Sequence, residues 1–123
     1  CVALIIVLDQ FPLNMFRGST RSFETEKIAI EVALEAIEKG FDEELGNEML
    51  LFLFMPLMHS ENIDHQNLQV YLFEKYNFNL EYSKHHRDLV KKFGRFPHRN
   101  EILERMSTME ELDYLLSDNA FKG

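Results

Sequence analysis

Residues 24–39 read Glu-Thr-Glu-Lys-Ile-Ala-Ile-Glu-Val-Ala-Leu-Glu-Ala-Ile-Glu-Lys, with Gly40 next. Ile28, Val32, Ala33, Ala36 and Ile37 recur at the spacing of one helical face. Acids fill the first turn, Ser22 stands as N-cap, and Gly40 is where a helix C-terminus favours a glycine. Ile30 and Leu34 widen the apolar stripe, so neighbours should cover two sides of this helix. Outward from it the same signals repeat. Asn47 caps a helix running to about Met58, and Asp64 lies near the start of another, with Leu68, Leu72, Phe73 and Tyr76 inward. Asn79 to Phe93 is a fifth helix, closed by Gly94, and a short sixth follows Pro97 with Ile102 and Leu103 facing in. Ser107-Thr108-Met109-Glu110 reads as a capping box that opens a last helix through Leu116.

Residues 2–8 form a β-branched run that reads as a strand or a buried helix. With no second strand to pair with, a helix ending before Pro12 is expected, followed by an ordered loop from Phe11 to Phe23. Loops are short and no low-complexity linker interrupts them. The expectation is one all-α domain over 1–123, an antiparallel array of five to seven helices.

At 123 residues, with 46% hydrophobic side chains and 11 Phe, the chain can bury a Phe-, Leu- and Ile-rich core. A net charge of −8 argues against general nucleic-acid or anionic-membrane binding. The longest apolar run, Met49 to Met58, holds Pro56 and is far short of a membrane span. A single cysteine, Cys1, excludes an internal disulfide or a multi-thiolate metal site and points to a reducing cytoplasm. The opening Cys1 to Leu8 lacks a basic leader and a cleavage site. It starts within an apolar run without an initiator Met, so an N-terminal part that would cover this segment is expected to be missing.

Against the acidic background, residues 84–105 carry seven cationic side chains and three acidic ones, net +4. They surround Phe93-Gly94-Arg95-Phe96-Pro97-His98-Arg99-Asn100. Gly94 permits a positive-φ turn and Pro97 presets a helical first turn. Backbone N–H groups near 98–100, with Arg95 and Arg99 beside them, would then make an anion site. The alternative is a structural corner in which Phe93 and Phe96 plug the core and the arginines pair with acids such as Asp9 or Glu61. Of His85 and His86, the second should face inward, two turns before Phe93 on the same face. His59-Ser60-Glu61 lacks the cysteine partners of a zinc deaminase, Glu61 and His65 alone make no metal site, and Ser60 reads as a cap. No metal or cofactor is therefore expected. Asp9, leaving an apolar segment, should either orient a His or Arg of the 85–99 cluster or fix the loop as a buried ion pair.

Leu8-Asp9-Gln10-Phe11-Pro12 with Asn14 and Arg17-Gly18, Pro56 with His59-Ser60-Glu61 and Gln66, His86-Arg87, Phe93 to Asn100, and Arg105 with Ser107-Thr108 together resemble the bacterial domain-of-unknown-function 924 family. The resemblance covers nearly the whole chain. It implies an all-helical fold similar to tetratricopeptide-repeat proteins, with a further N-terminal region before the Asp-Gln-Phe-Pro motif. It supplies no activity. It groups Asp9, Gln10, Arg17, His59, Glu61, Gln66, His86, Arg87, Arg95, His98, Arg99 and Asn100 into one polar constellation. This chain departs from the pattern at Leu13, Met58 and Glu104, where the family usually has an arginine, an acid and a glycine.

Three functions compete. A binding module would hold an anionic small molecule or an acidic peptide end on Asp9, Gln10, Arg17, His86, Arg87, Arg95, His98, Arg99 and Asn100. An enzyme would use His59, Glu61 or His98 in acid–base chemistry, with arginine stabilising the anion. A protein-interaction scaffold would use the same residues as internal struts, although no ~34-residue repeat is visible. Convergence of the distant polar groups on one cavity separates the first two from the third.

Overall fold

The computed structural model describes residues 2–118 and 120, and every described element is helical or a turn. Helix α1 (Val2–Ile5) runs through a π-helical turn (Ile6–Gln10) into α2 (Phe11–Met15). A 3-10 turn at Thr20–Phe23 leads to α3 (Glu26–Glu38), and a second at Phe41–Glu44 leads to α4 (Asn47–Met58). Then follow α5 (Ile63–Lys75), α6 (Leu80–Phe93), a 3-10 turn at Pro97–Arg99 and α7 (Met109–Leu115). Helices α3 to α6 each pack on the next. The four-residue links after α4 and α5 make those neighbours antiparallel.

The main core lies between α1, α3, α4 and α5, where Ile5, Ala33, Leu53, Phe54, Leu57 and Phe73 are buried. Phe54 stands against Phe73, Tyr76 and Phe78, all with ring centroids within 6.3 Å. A smaller cluster of Leu89, Val90 and Phe96, with Phe93 and Tyr114 against it, supports the second half of the chain. Between α5 and α6 runs a buried polar ladder. The Gln66 amide donates to the carbonyls of Met58 and Ser60, 2.7 Å each, satisfying the end of α4. The Gln69 amide donates to Ser83 C=O, and the Ser83 hydroxyl returns a 2.6 Å bond to Gln69.

Several expectations need correction. Pro12 does not end the first helix, and Phe11–Met15 is helical rather than loop. A proline there leaves the Leu8 carbonyl without its i+4 donor, and the Thr25 hydroxyl donates to it instead. This helix is also one-sided: Ile5 is buried, but Leu4, Val7, Phe11 and Met15 are exposed. Helix α3 starts at Glu26 after Thr25, while Ser22 belongs to the preceding 3-10 turn, and its side chain lies outside what the structure describes. Its buried face is Ala29, Ile30, Ala33 and Ala36, with Ile28 exposed. Gly46 rather than Asn47 precedes α4, and Asn62 caps α5 by accepting from the Asp64 N–H. Beyond Pro97 the chain forms one 3-10 turn and no sixth helix. Glu104 takes a positive φ of 55°, and the Arg105 N–H returns to the Asn100 carbonyl, closing the turn. The last capping box is Thr108 with Glu111, one residue later than Ser107 with Glu110.

Candidate functional site

The corner after α6 forms for the expected reasons. Gly94 adopts φ 74° and its N–H donates to Val90 C=O. Phe96 inserts beside Leu89 and Val90. The N–H groups of Arg99 and Asn100, however, are taken up within the turn by the carbonyls of Phe96 and Pro97. They offer no backbone anion cradle, so any recognition there is made by side chains.

The arginines of the basic stretch go to different places. Arg95 forms a two-pronged pair with Glu111, at 2.9 and 2.8 Å, and donates to Met106 C=O. Arg105 does the same with Glu61, at 2.9 and 3.0 Å, and Glu61 also accepts the Phe96 N–H at 2.6 Å. Arg87 pairs with its neighbour Asp88. Arg99 is buried, pairs with Glu26 at 3.1 Å, donates to His59 C=O at 2.7 Å and stacks on Phe23 and Phe96. Lys84, Lys91 and Lys92 remain exposed. Much of the charge asymmetry is thus answered by internal ion pairs, with Glu26, Glu61 and Glu111 as the acids. Asp9 takes none of these arginines.

Beside this corner lies a cleft of about 340 Å³. Gln10, Arg17, His59, His86, His98 and Arg99 line it, joined by Leu13, Asn14, Gly18, Phe23, Tyr82, Phe96 and Ile102. Six of the residues singled out from the sequence therefore meet around one cavity. Asp9 stands directly behind: its carboxylate lies 2.9 Å from His59 Nδ1 and accepts from Gln10 Nε2 at 2.8 Å. The partner of Asp9 is thus His59, outside the 85–99 cluster. Glu61 backs the Phe96 turn. Arg87, Arg95, Asn100 and Gln66 do not line the cleft. Asn100 is a buried strut donating to Ser107 and accepting from Arg105.

His86 is the inward histidine of its pair, bonded through Nδ1 to Tyr82 C=O, while His85 reaches the Tyr114 hydroxyl at 3.2 Å. Burial pushes His86 down to about 4, outweighing its hydrogen bond to Tyr82 C=O, and the Arg99 charge adds to the effect. Burial and then the Arg99 charge bring His98 to about 4 as well. Both imidazoles are neutral at pH 7, each with one donor and one acceptor nitrogen, and His86 gives its N–H to Tyr82 C=O. Glu26 is raised by burial despite the Arg99 beside it. Glu61 is held below its ordinary value, because burial is outweighed by Arg105 and the Phe96 N–H. No acidic side chain is among the residues lining the cleft.

Among the described residues no three His, Cys, Asp or Glu side chains gather as a metal site. Glu61 and His65 are turned apart, the first to Arg105 and the second to the Ser60 hydroxyl. Ser60 also accepts the Asn62 N–H in a local turn, but the cap of α5 is Asn62, not Ser60 as expected. No described helix is long and apolar enough to cross a membrane. Tyr82, Phe23, Asn14 and Ile102 escaped selection as site residues. Tyr82 was legible, four residues before His86 on one helical face. Phe23 was not, because only the fold brings it to Arg99.

Among curated proteins no match was found. The structure of a protein of unknown function, ATU0120 from Agrobacterium tumefaciens, is similar to this chain at a TM-score of 0.88 and 40% identity, over 94% of this chain. This chain spans 66% of that protein's length. The family described as "Bacterial protein of unknown function (DUF924)" matches residues 1–119. By that match, which includes the Asp9–Pro12 and Phe93–Asn100 motifs at the cleft, the chain belongs to the bacterial domain-of-unknown-function 924 family.

Proposed function

We propose that the cleft between α2, the link after α4 and the Pro97–Arg99 turn binds an anionic small molecule, or the acidic end of a peptide. One observation carries this reading: Arg99 lines the cleft, is buried, and its Nε–H finds no acceptor among the described residues. A buried donor left unmet costs about 1–3 kcal/mol unless a ligand meets it. Arg17 adds a second cation at the rim, and the acids stand behind the lining. The arrangement accepts negative charge through side chains alone. The stacking of α3 to α6 on successive neighbours supports a tetratricopeptide-like frame, and the lone cysteine supports a cytoplasmic ligand.

A thermal-shift series with phosphate, nucleotides and carboxylates tests it. At least one anion should raise the melting temperature, and Arg17→Ala, an exposed change with little effect on folding, should weaken that rise. If no anion stabilises the protein, the reading fails. An acid–base enzyme is the second reading, favoured by the Asp9–His59 contact. It requires that an anion which binds also be turned over, with loss of turnover in His59→Gln.

A further inference from the structure

The Asp9–His59 contact fixes more than an orientation. A carboxylate only accepts hydrogen bonds, so the hydrogen in the 2.9 Å contact sits on His59 Nδ1. Gln10 Nε2 donates to the other carboxylate oxygen at 2.8 Å and holds Asp9 in place. In the neutral ring, Nε2, across from Asp9, then presents a lone pair. It has no hydrogen-bond partner among the described residues, and His59 lines the cleft with its side chain 20% exposed. The same cavity holds the Arg99 guanidinium with its unmet Nε–H. The cavity thus holds both an acceptor and cationic donors.

A fully deprotonated oxyanion satisfies only the donors. It would set a lone pair against Nε2. An oxyanion that keeps one proton satisfies both. We propose that the cleft selects a phosphoryl oxyanion carrying a proton, its P–OH donating to His59 Nε2 while its other oxygens take the donors of Arg99. This rests on the anion-binding reading of the same cleft. The apolar wall of Leu13, Phe23, Phe96 and Ile102 favours a phosphate monoester with an organic group over free phosphate. Sulfate, tetrahedral and similar in size, has no proton to give near neutral pH.

Calorimetric titration of the whole chain at about pH 6.5, near the second pKa of a phosphate monoester, compares phenyl phosphate, inorganic phosphate and sulfate. Phosphate should bind at least about tenfold more tightly than sulfate, a difference of about 1.4 kcal/mol. Phenyl phosphate tighter than inorganic phosphate identifies an ester as the ligand, and equal affinities identify free phosphate. Either result supports the proposal. Asp9→Asn should collapse the preference, because an amide can donate to Nδ1 and turn Nε2 into a donor. If that variant does not fold, the wild-type comparison decides alone. Equal binding of phosphate and sulfate by the wild type overturns the proposal and leaves anion binding intact. Binding of none of the three, nor of any carboxylate, removes both.

Discussion

Burying a guanidinium costs several kcal/mol unless its charge and its donors are met. Arg99 meets its charge with Glu26, one donor with the His59 carbonyl, and its flat faces with Phe23 and Phe96. Removing it leaves the partly buried Glu26 carboxylate without its cation. Arg99→Ala should therefore cost about 3 kcal/mol in urea unfolding, whatever it does to ligand binding. A loss under about 1 kcal/mol would show that the pair is not buried in solution. The two cleft histidines give a pH signature. Their folded values near 4 lie below the ordinary 6.5, so the unfolded chain takes up protons that the folded chain refuses. Stability should fall as pH drops from about 6.5 to 4, by up to about 3 kcal/mol per histidine. Glu26, raised on folding, opposes this in part, since the folded state protonates it first. Urea midpoints across this range check the sign, and His98→Gln should flatten the curve.

Helix α7 can start in two registers, because Ser107 with Glu110 and Thr108 with Glu111 both fit the capping pattern. The second wins because Glu111 has a further task. Its carboxylate takes the Thr108 N–H and both prongs of Arg95, and the Arg95 bonds bring it to about 2 against the cost of burial. Glu111→Gln should cost about 1–3 kcal/mol and speed amide exchange in α7, whereas Glu110→Gln should stay within about 0.5 kcal/mol. Comparable losses in the two variants would place the box in the earlier register. At the other end of the chain, the Thr25 hydroxyl serves the Leu8 carbonyl that Pro12 leaves bare. Thr25→Val should cost about 1 kcal/mol, read by thermal or urea unfolding, and Thr25→Ser should restore most of it.

Across the whole molecule, Glu61 fastens the link after α4 to the corner after α6. It holds Phe96 N–H and Arg105 at once, residues 35 and 44 positions away in sequence. Both walls of the cleft hang on that strut, since His59 lies two residues before it and Arg99 three after Phe96. Glu61→Gln should lower stability by about 2 kcal/mol and weaken anion binding several-fold, although Glu61 is not among the lining residues. Unchanged affinity beside lowered stability would mean that the two walls are positioned independently.

The sequence by itself determined helices α3 to α6, since hydrophobic period, caps and glycine stops act over a few residues and need no partner. It also marked Asp9, His59, His86, His98 and Arg99 as polar groups in unusual company, though not which touched which. Six of the positions it grouped, Gln10, Arg17, His59, His86, His98 and Arg99, line the cleft, while Arg95 and Asn100 serve as struts. Tertiary structure decided that division. Each buried charge settles on whichever opposite group the packing brings near, and Glu26, Glu61 and Glu111 reach their arginines from 73, 44 and 16 residues away. The register of α7 and the passage of the first helix through Pro12 were settled in the same way, by Arg95 and Thr25 arriving from elsewhere in the chain. A local pattern says what a segment can form, and a distant partner says which of its options has the lower free energy.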